Sequence, residues 1–275
     1  MKHDKKTIAE LLMWTLGAVL IAAMLVPFAL RSAEPMKGSP VWLLLGVIIG
    51  MGIGGTVAWN FIIKMKKNDV IKVALAVGLA MVIGIQYVDA ILPESVSYVP
   101  RVLLRFVVYG SVIALYIKAV NESRKSWEGV KKWYAVQNLI LMLALAATVV
   151  IGAMLTPLVA LFLLFLASIW DAYAVWKSKT MVVLANGFID ARAFPGFVVP
   201  KRKEKFAMLG GGDVFFIVVV AGSCAEQSMA AFWYMALWMF AGLVMLFAIS
   251  KKEKFYPALP FIFAAALSGI VVSWL

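Results

Sequence analysis

Hydrophobic positions run through this chain in long unbroken stretches, and the Lys and Arg residues fall almost entirely between them. A helix that crosses a bilayer needs about 20 largely apolar residues. Runs of that kind extend from Ile8 to Leu30, Val41 to Ile63, Val70 to Tyr87 and Tyr98 to Val120. The first is too long for a signal-peptide core and shows no clear small-residue cleavage site, so it reads as a helix. Between Lys132 and Lys177 lie 44 residues without Lys or Arg. They amount to about 66 Å of helix against a hydrocarbon core of about 30 Å. Gly152 and Thr156-Pro157 near the middle predict a tight turn between helices five and six. The 45 residues between Lys205 and Lys251 are broken at Gly222 to Ser228, which predicts a second hairpin, helices seven and eight. Phe255 to Leu275 supplies the ninth. The expected fold is all-α: a polytopic membrane protein of nine transmembrane helices in one membrane domain, residues 1–275. Helices one to six fall in 8–176, a connection in 177–206, and helices seven to nine in 207–275.

Composition strengthens this reading. The 275 residues are 64% hydrophobic and 15% charged, whereas soluble domains average roughly 45–50% and about 25%. The net charge of +12, from 26 Lys and Arg against 14 Asp and Glu, suits either a nucleic acid or one face of a membrane. Distribution decides between them. The tail and the loops after helices two, four, six and eight hold 22 of the 26, leaving Arg31, Lys37, Arg101 and Arg105 for the other side. By the positive-inside rule the amino terminus is cytoplasmic and the carboxy terminus outside, in a multi-pass protein of the cell membrane. Nucleic acid drops out as a partner, and membrane lipid takes its place.

One Cys, Cys224, and one His, His3, exclude more. No internal disulfide, His-pair zinc site, Ser–His or Cys–His nucleophile, haem or iron–sulfur cluster can be assembled from them. No metal and no cofactor is expected. Any enzymology has to come from carboxylates, backbone and small hydroxyls.

Ionised side chains are costly inside a bilayer, and intramembrane acids are functional candidates by default. Of the 14 acids, Asp171 on helix six and Asp213 on helix seven stand deeper than a turn from the predicted helix ends. Their offsets from Lys177 and Lys205 place them on the order of 9 Å and 12 Å inside the same boundary. Helix six descends to that face and helix seven leaves from it, so the two are level. Facing carboxylates without a counter-ion tend to share one proton. That suits general acid/base hydrolysis of a peptide, and it suits equally a proton relay in a transporter.

Three further features lie toward the same face. Gly210-Gly211-Gly212 immediately precedes Asp213, loosens the helix start and lets another backbone approach closely. Pro257-Ala258-Leu259-Pro260 opens helix nine. Phe197-Val198-Val199, between Pro195-Gly196 and Pro200, has strand propensity; it reads as an extended linker or as an edge on which a substrate pairs. Elsewhere Gly46, Gly50 and Gly54 form a small-residue stripe on helix two, and Glu226 falls in an external turn.

Taken together, the acids and motifs resemble the presenilin and signal-peptide-peptidase family of intramembrane aspartyl proteases, at the level of its microbial homologues. That family has nine membrane helices, a Tyr-Asp on helix six, a Gly-x-Gly-Asp on helix seven and a Pro-Ala-Leu at helix nine. Gly210 to Asp213 matches the second and Pro257 to Leu259 the third, while Trp170 stands where Tyr is usual before Asp171. The resemblance implies that Asp171 and Asp213 are the catalytic dyad. It also implies that Gly210, Gly211, Gly212, Pro257, Ala258 and Leu259 shape the site and contact substrate. The implied substrates are single-span membrane proteins. The cytoplasmic amino terminus is presenilin-like and implies a preference for helices whose own amino terminus is outside. A proton-coupled transporter that uses both acids as a relay is the alternative; it predicts an internal repeat, and none is evident.

Overall fold

The computed structural model describes residues 5–33, 68–92, 95–178, 188, 194–201, 206–250 and 256–273. Helices stand at each predicted position except the second, Val41–Ile63, which lies outside the described residues together with its Gly46, Gly50 and Gly54. They are α1 (Lys5–Ala33), α2 (Asn68–Ile91), α3 (Tyr98–Ser123), α4 (Trp127–Ala147), α5 (Val149–Met154), α6 (Pro157–Ala172), α7 (Gly211–Cys224), α8 (Met229–Ile249) and α9 (Leu259–Ser273). Among the described residues, five helical segments are long and apolar enough to cross a membrane: Lys5–Ala33, Tyr98–Ser123, Trp127–Met154, Pro157–Lys177 and Met229–Ile249.

The turn predicted between helices five and six forms as written. The helix pauses at Thr148, resumes as α5 and stops at Leu155, whose backbone is extended. Thr156 then caps α6 by accepting from the Val159 N–H at 3.4 Å, and Pro157 takes the first helical position, where its missing N–H costs nothing.

Between α6 and α7 the chain departs from an all-helical reading. Strand β1 (Gly196–Pro200) pairs antiparallel with β2 (Phe206–Gly210), with Phe197 opposite Leu209 and Val198 opposite Met208. Residues 207–210, expected within the stretch of helix seven, are therefore extended. The glycines explain the change: a helix that loses about 1 kcal/mol per Gly gains little by starting before Gly211, and Gly210 adopts an extended conformation at the boundary.

Helix α7 is the hub of the bundle. It packs against α1, α4, α5, α6, α8 and α9, and all of Val214 to Cys224 but Phe215 is buried. A helix that is apolar on every side belongs in a core. Its 14 residues make about 21 Å, short of a bilayer's thickness, and β2 leads into it. A second cluster joins α2, α3 and α4 through Ile83, Tyr116, Trp133 and Tyr134, and Val198 of β1 is part of it. At the far end of the α2–α3 hairpin, Arg105 Nη2 lies 2.6 Å from both carboxylate oxygens of Asp89.

Among the described residues, close helix contact relies on glycines of α5 and α7. A Cβ on Gly152 of α5 would strike the carbonyl oxygen of Val219 and the Cα of Gly222, and one on Gly222 would strike Val149. Such small-residue crossings let backbones approach in a bilayer. Gly152→Val or Gly222→Val is expected to lower stability by about 1–3 kcal/mol. Gly110→Ala, on the exposed face of α3 with nothing near its Cβ, is expected to be neutral or mildly stabilising. Thermal unfolding in one detergent distinguishes the three.

Candidate active site

Three chain segments distant in sequence converge at one end of α6. Asp171 lies in its last turn, and Ala160, Leu161, Leu163, Leu164 and Ser168 bury one side of the helix in the bundle. Beyond Ala172 the helix widens into a single π-turn, Tyr173–Lys177, closed by a bond from the Ser178 N–H to the Tyr173 carbonyl at 3.0 Å. Such widened turns recur at functional sites.

The chain before α9 faces this carboxyl. The Leu259 N–H donates to Asp171 Oδ2 at 3.1 Å, and the Ala258 N–H also donates to the same carboxyl. These amides precede or open α9, where backbone N–H groups have no partner within the helix. The Asp171 carboxylate supplies the acceptor and sits at the positive end of the helix dipole. Pro257, with no N–H of its own, is buried just ahead of them. The Pro-Ala-Leu sequence thus has a physical reading as a two-amide cradle for one carboxylate.

Asp213 is the third residue of α7, and its carboxyl accepts the N–H of Gly210, the residue that caps the helix. A carboxylate reaching back from that position to the cap is half of a capping box. Asp213 also lies within electrostatic reach of Asp171. Among the described residues, no cation interacts with either carboxyl. The arrangement therefore holds two partly buried acids within electrostatic reach of each other, each anchored by backbone amides of a helix start. Chemically that is a pair able to hold a proton and to exchange it with a water molecule or a carbonyl placed between them.

The three glycines are not equivalent. A Cβ on Gly210 would come within 3.0 Å of Asp213 Oδ2. Gly211 donates its N–H to the Pro195 carbonyl at 3.0 Å, and a Cβ there would lie 2.6 Å from that same oxygen. Gly212 is exposed, with nothing within 4 Å of its Cβ position. The crowded middle position is the one that the Gly-x-Gly-Asp pattern leaves open.

The structure thus brings together Asp171, Asp213, Gly210, Gly211, Ala258 and Leu259, with Pro257 alongside. Trp170 does not join them. It is 61% exposed and tilts against Tyr173 at 5.9 Å, so the aromatic before the acid faces away from the carboxyl pair. Phe197 to Val199 are buried, and neither edge of β1 is free at Val198. One edge pairs with β2, and on the other Asn138 of α4 donates to the Val198 carbonyl at 2.9 Å and accepts its N–H at 3.0 Å. The expectation that this segment offers a substrate a pairing edge is corrected accordingly. The edge turned away from β1 belongs to β2, where Met208 is half-exposed three residues before Gly211. Strand β2, Asn138 and its neighbour Gln137, which donates to the Phe194 carbonyl at 2.6 Å, were not singled out from sequence. The signal was present as two adjacent amides within an otherwise apolar stretch, since buried polar groups in membrane helices need partners.

Comparison with known proteins identifies a family and a related fold. Residues 8–213 match the family model described as signal-peptide peptidase, presenilin aspartyl protease. A solved structure of a presenilin family intramembrane aspartate protease is similar over 95% of this chain and 94% of that one, with 20% identity and a TM-score of 0.58. No curated sequence matches the chain.

Alanine substitutions at the three glycines order themselves by the contacts above. Gly211→Ala, which meets backbone, is expected to cost about 1–3 kcal/mol of stability. Gly212→Ala is expected to fold as well as wild type. Gly210→Ala is expected to stay folded while displacing the Asp213 carboxyl. Thermal unfolding tests the first two, and the apparent affinity for a hydroxyl-containing aspartyl protease inhibitor tests the third.

Proposed function

This chain belongs to the signal-peptide peptidase and presenilin family of aspartyl proteases, and we propose that it is an intramembrane endopeptidase whose dyad is Asp171 and Asp213. The observation that carries the proposal is the anchoring of both acids side by side. The Leu259 amide holds Asp171 at 3.1 Å, the Gly210 amide holds Asp213, and the two carboxyls interact.

In the reaction, one carboxylate takes a proton from water as its oxygen attacks the scissile carbonyl carbon. The other, carrying the shared proton, donates it to the carbonyl oxygen. Collapse of the tetrahedral adduct restores the carbonyl and breaks the C–N bond, with the nitrogen leaving protonated. The amides of Ala258, Leu259 and Gly210 fix the acids through this exchange, and preorganised groups of that kind need no rearrangement as charge moves.

A peptide bond in a transmembrane helix is shielded by its own hydrogen bonds, so the substrate must be extended at the point of cleavage. In this reading the substrate adds a strand along the edge of β2 that faces away from β1, next to Asp213, where main-chain bonds are independent of side-chain identity. The substrates are single-span membrane proteins. With the amino terminus in the cytoplasm, the site lies toward the cytoplasmic face and favours helices whose own amino terminus is outside.

The transporter reading is less well supported, because both acids are committed to helix starts near one end of the bundle. Purified protein in liposomes with a labelled single-span substrate separates the two. Endoproteolysis is expected, and Asp171→Asn and Asp213→Asn are each expected to reduce it about 10²- to 10⁴-fold with helix content retained. Full cleavage by either variant contradicts the dyad, and proton-linked solute flux without cleavage of several substrates supports the transporter.

A further inference from the structure

The hairpin that leads to Asp213 is tied to the helical bundle at one residue. Asn138 lies in the middle of α4 and is buried. Its carboxamide makes both bonds that a neighbouring strand residue would make: Nδ2 to the Val198 carbonyl and Oδ1 from the Val198 N–H, 2.9 and 3.0 Å. Two bonds exchanged with one residue are the unit of an antiparallel ladder. The orientation of the amide is fixed by the backbone, since a carbonyl can only accept and an N–H can only donate.

Three consequences follow from the register. Val198 directs its backbone polar groups away from β2, so Asn138 and β2 occupy opposite edges of β1. Strand β1 then behaves as a central strand, although one of its neighbours is a single side chain. Because successive residues alternate between edges, the hairpin cannot slide along α4 by one position and keep this pair of bonds. The tie touches neither acid directly: Asp171 is held from the start of α9, and Asp213 meets the hairpin through Gly210, the last residue of β2, next to the Gly211–Pro195 bond that closes the hairpin independently of Asn138.

We propose that Asn138 is a positioning residue that sets where along an extended substrate the dyad cuts. The inference rests on the protease reading above. The carboxamide fixes β1 lengthwise, the β1–β2 ladder carries that position to the outer edge of β2, and a strand added there inherits it. Removing the carboxamide loosens the strand edge at Val198 and Met208, while the Gly211–Pro195 and Gln137–Phe194 bonds still pin the end of the hairpin that carries Gly210 beneath Asp213. Gln137, one residue earlier, holds the Phe194 carbonyl outside the strand and does not set this register.

The test compares wild type, Asn138→Leu, Asn138→Ala and Gln137→Met in liposomes with one labelled single-span substrate. Product ends are read by mass spectrometry, and inhibition by a small hydroxyl-containing dyad inhibitor is measured alongside. Asn138→Leu preserves shape, while Asn138→Ala leaves room for water to satisfy Val198. Both are expected to spread cleavage over neighbouring bonds and to lower kcat/KM about tenfold, the equivalent of one or two lost buried hydrogen bonds. Inhibitor potency is expected to stay at the wild-type value, and Gln137→Met is expected to keep the wild-type product ends. Unchanged product ends in the folded Asn138 variants overturn the inference. So does a loss of inhibitor potency in step with activity, or failure of both variants to fold, because each makes Asn138 a general structural residue. A wild type that does not cut overturns the protease reading first, and this inference with it.

Discussion

Backbone polar groups inside a bilayer have no water to turn to, so every break in a helix must be satisfied by the protein itself. In this chain one group of breaks lies where α6 ends, a hairpin intervenes, and α7 and α9 begin. Four amides there find acceptors in other segments. Gly211 bonds Pro195, Val198 bonds Asn138, Leu259 bonds Asp171, and Gly210 bonds Asp213. The two acids are thus part of the solution to a folding problem as well as the candidate chemistry. A carboxylate that caps a helix start is held at a defined place without a cation, and a cation would quench the proton exchange that a dyad requires.

This dual use makes sense of where the glycines and the proline sit. Gly210 must be bare because Asp213 folds back over it, and Gly211 because Pro195 crosses it. Pro257 precedes two amides that both face Asp171 and has no N–H of its own to satisfy. The open space over Gly212 lies on the exposed side. Each short motif therefore reports a backbone path, and the acid is placed by that path.

Much of this was legible in the residues. Helix positions, the turn at Thr156-Pro157 and the two acids followed from hydropathy and charge, because a bilayer penalises polar side chains so strongly that those few present stand out. The pairing of Asp171 with Leu259 spans 88 residues and leaves no local trace; level depth was as far as chain offsets could reach. The hairpin was half visible. The β-branched Val198-Val199 marked β1, but Phe206 to Leu209 is apolar and unbroken, and runs of four or five such residues do not distinguish a buried strand from a helix end. Asn138 stood out less because two adjacent amides in a long apolar stretch form no periodic pattern; its meaning comes from the strand it meets.

The glycine crossing of α5 and α7 has a mechanical side. Gly152 and Gly222 bring the two backbones together near the carboxy end of α7, while Asp213 stands nine residues away at the other end. That separation is about 14 Å of helix, a rigid arm pivoted at its far end. A tilt of about 4° about the pivot would carry the Asp213 carboxyl about 1 Å, on the scale at which reacting groups fall in or out of alignment. The crossing, with the six helices packed around α7, therefore fixes the angle of that arm and with it the place of the Asp213 carboxyl.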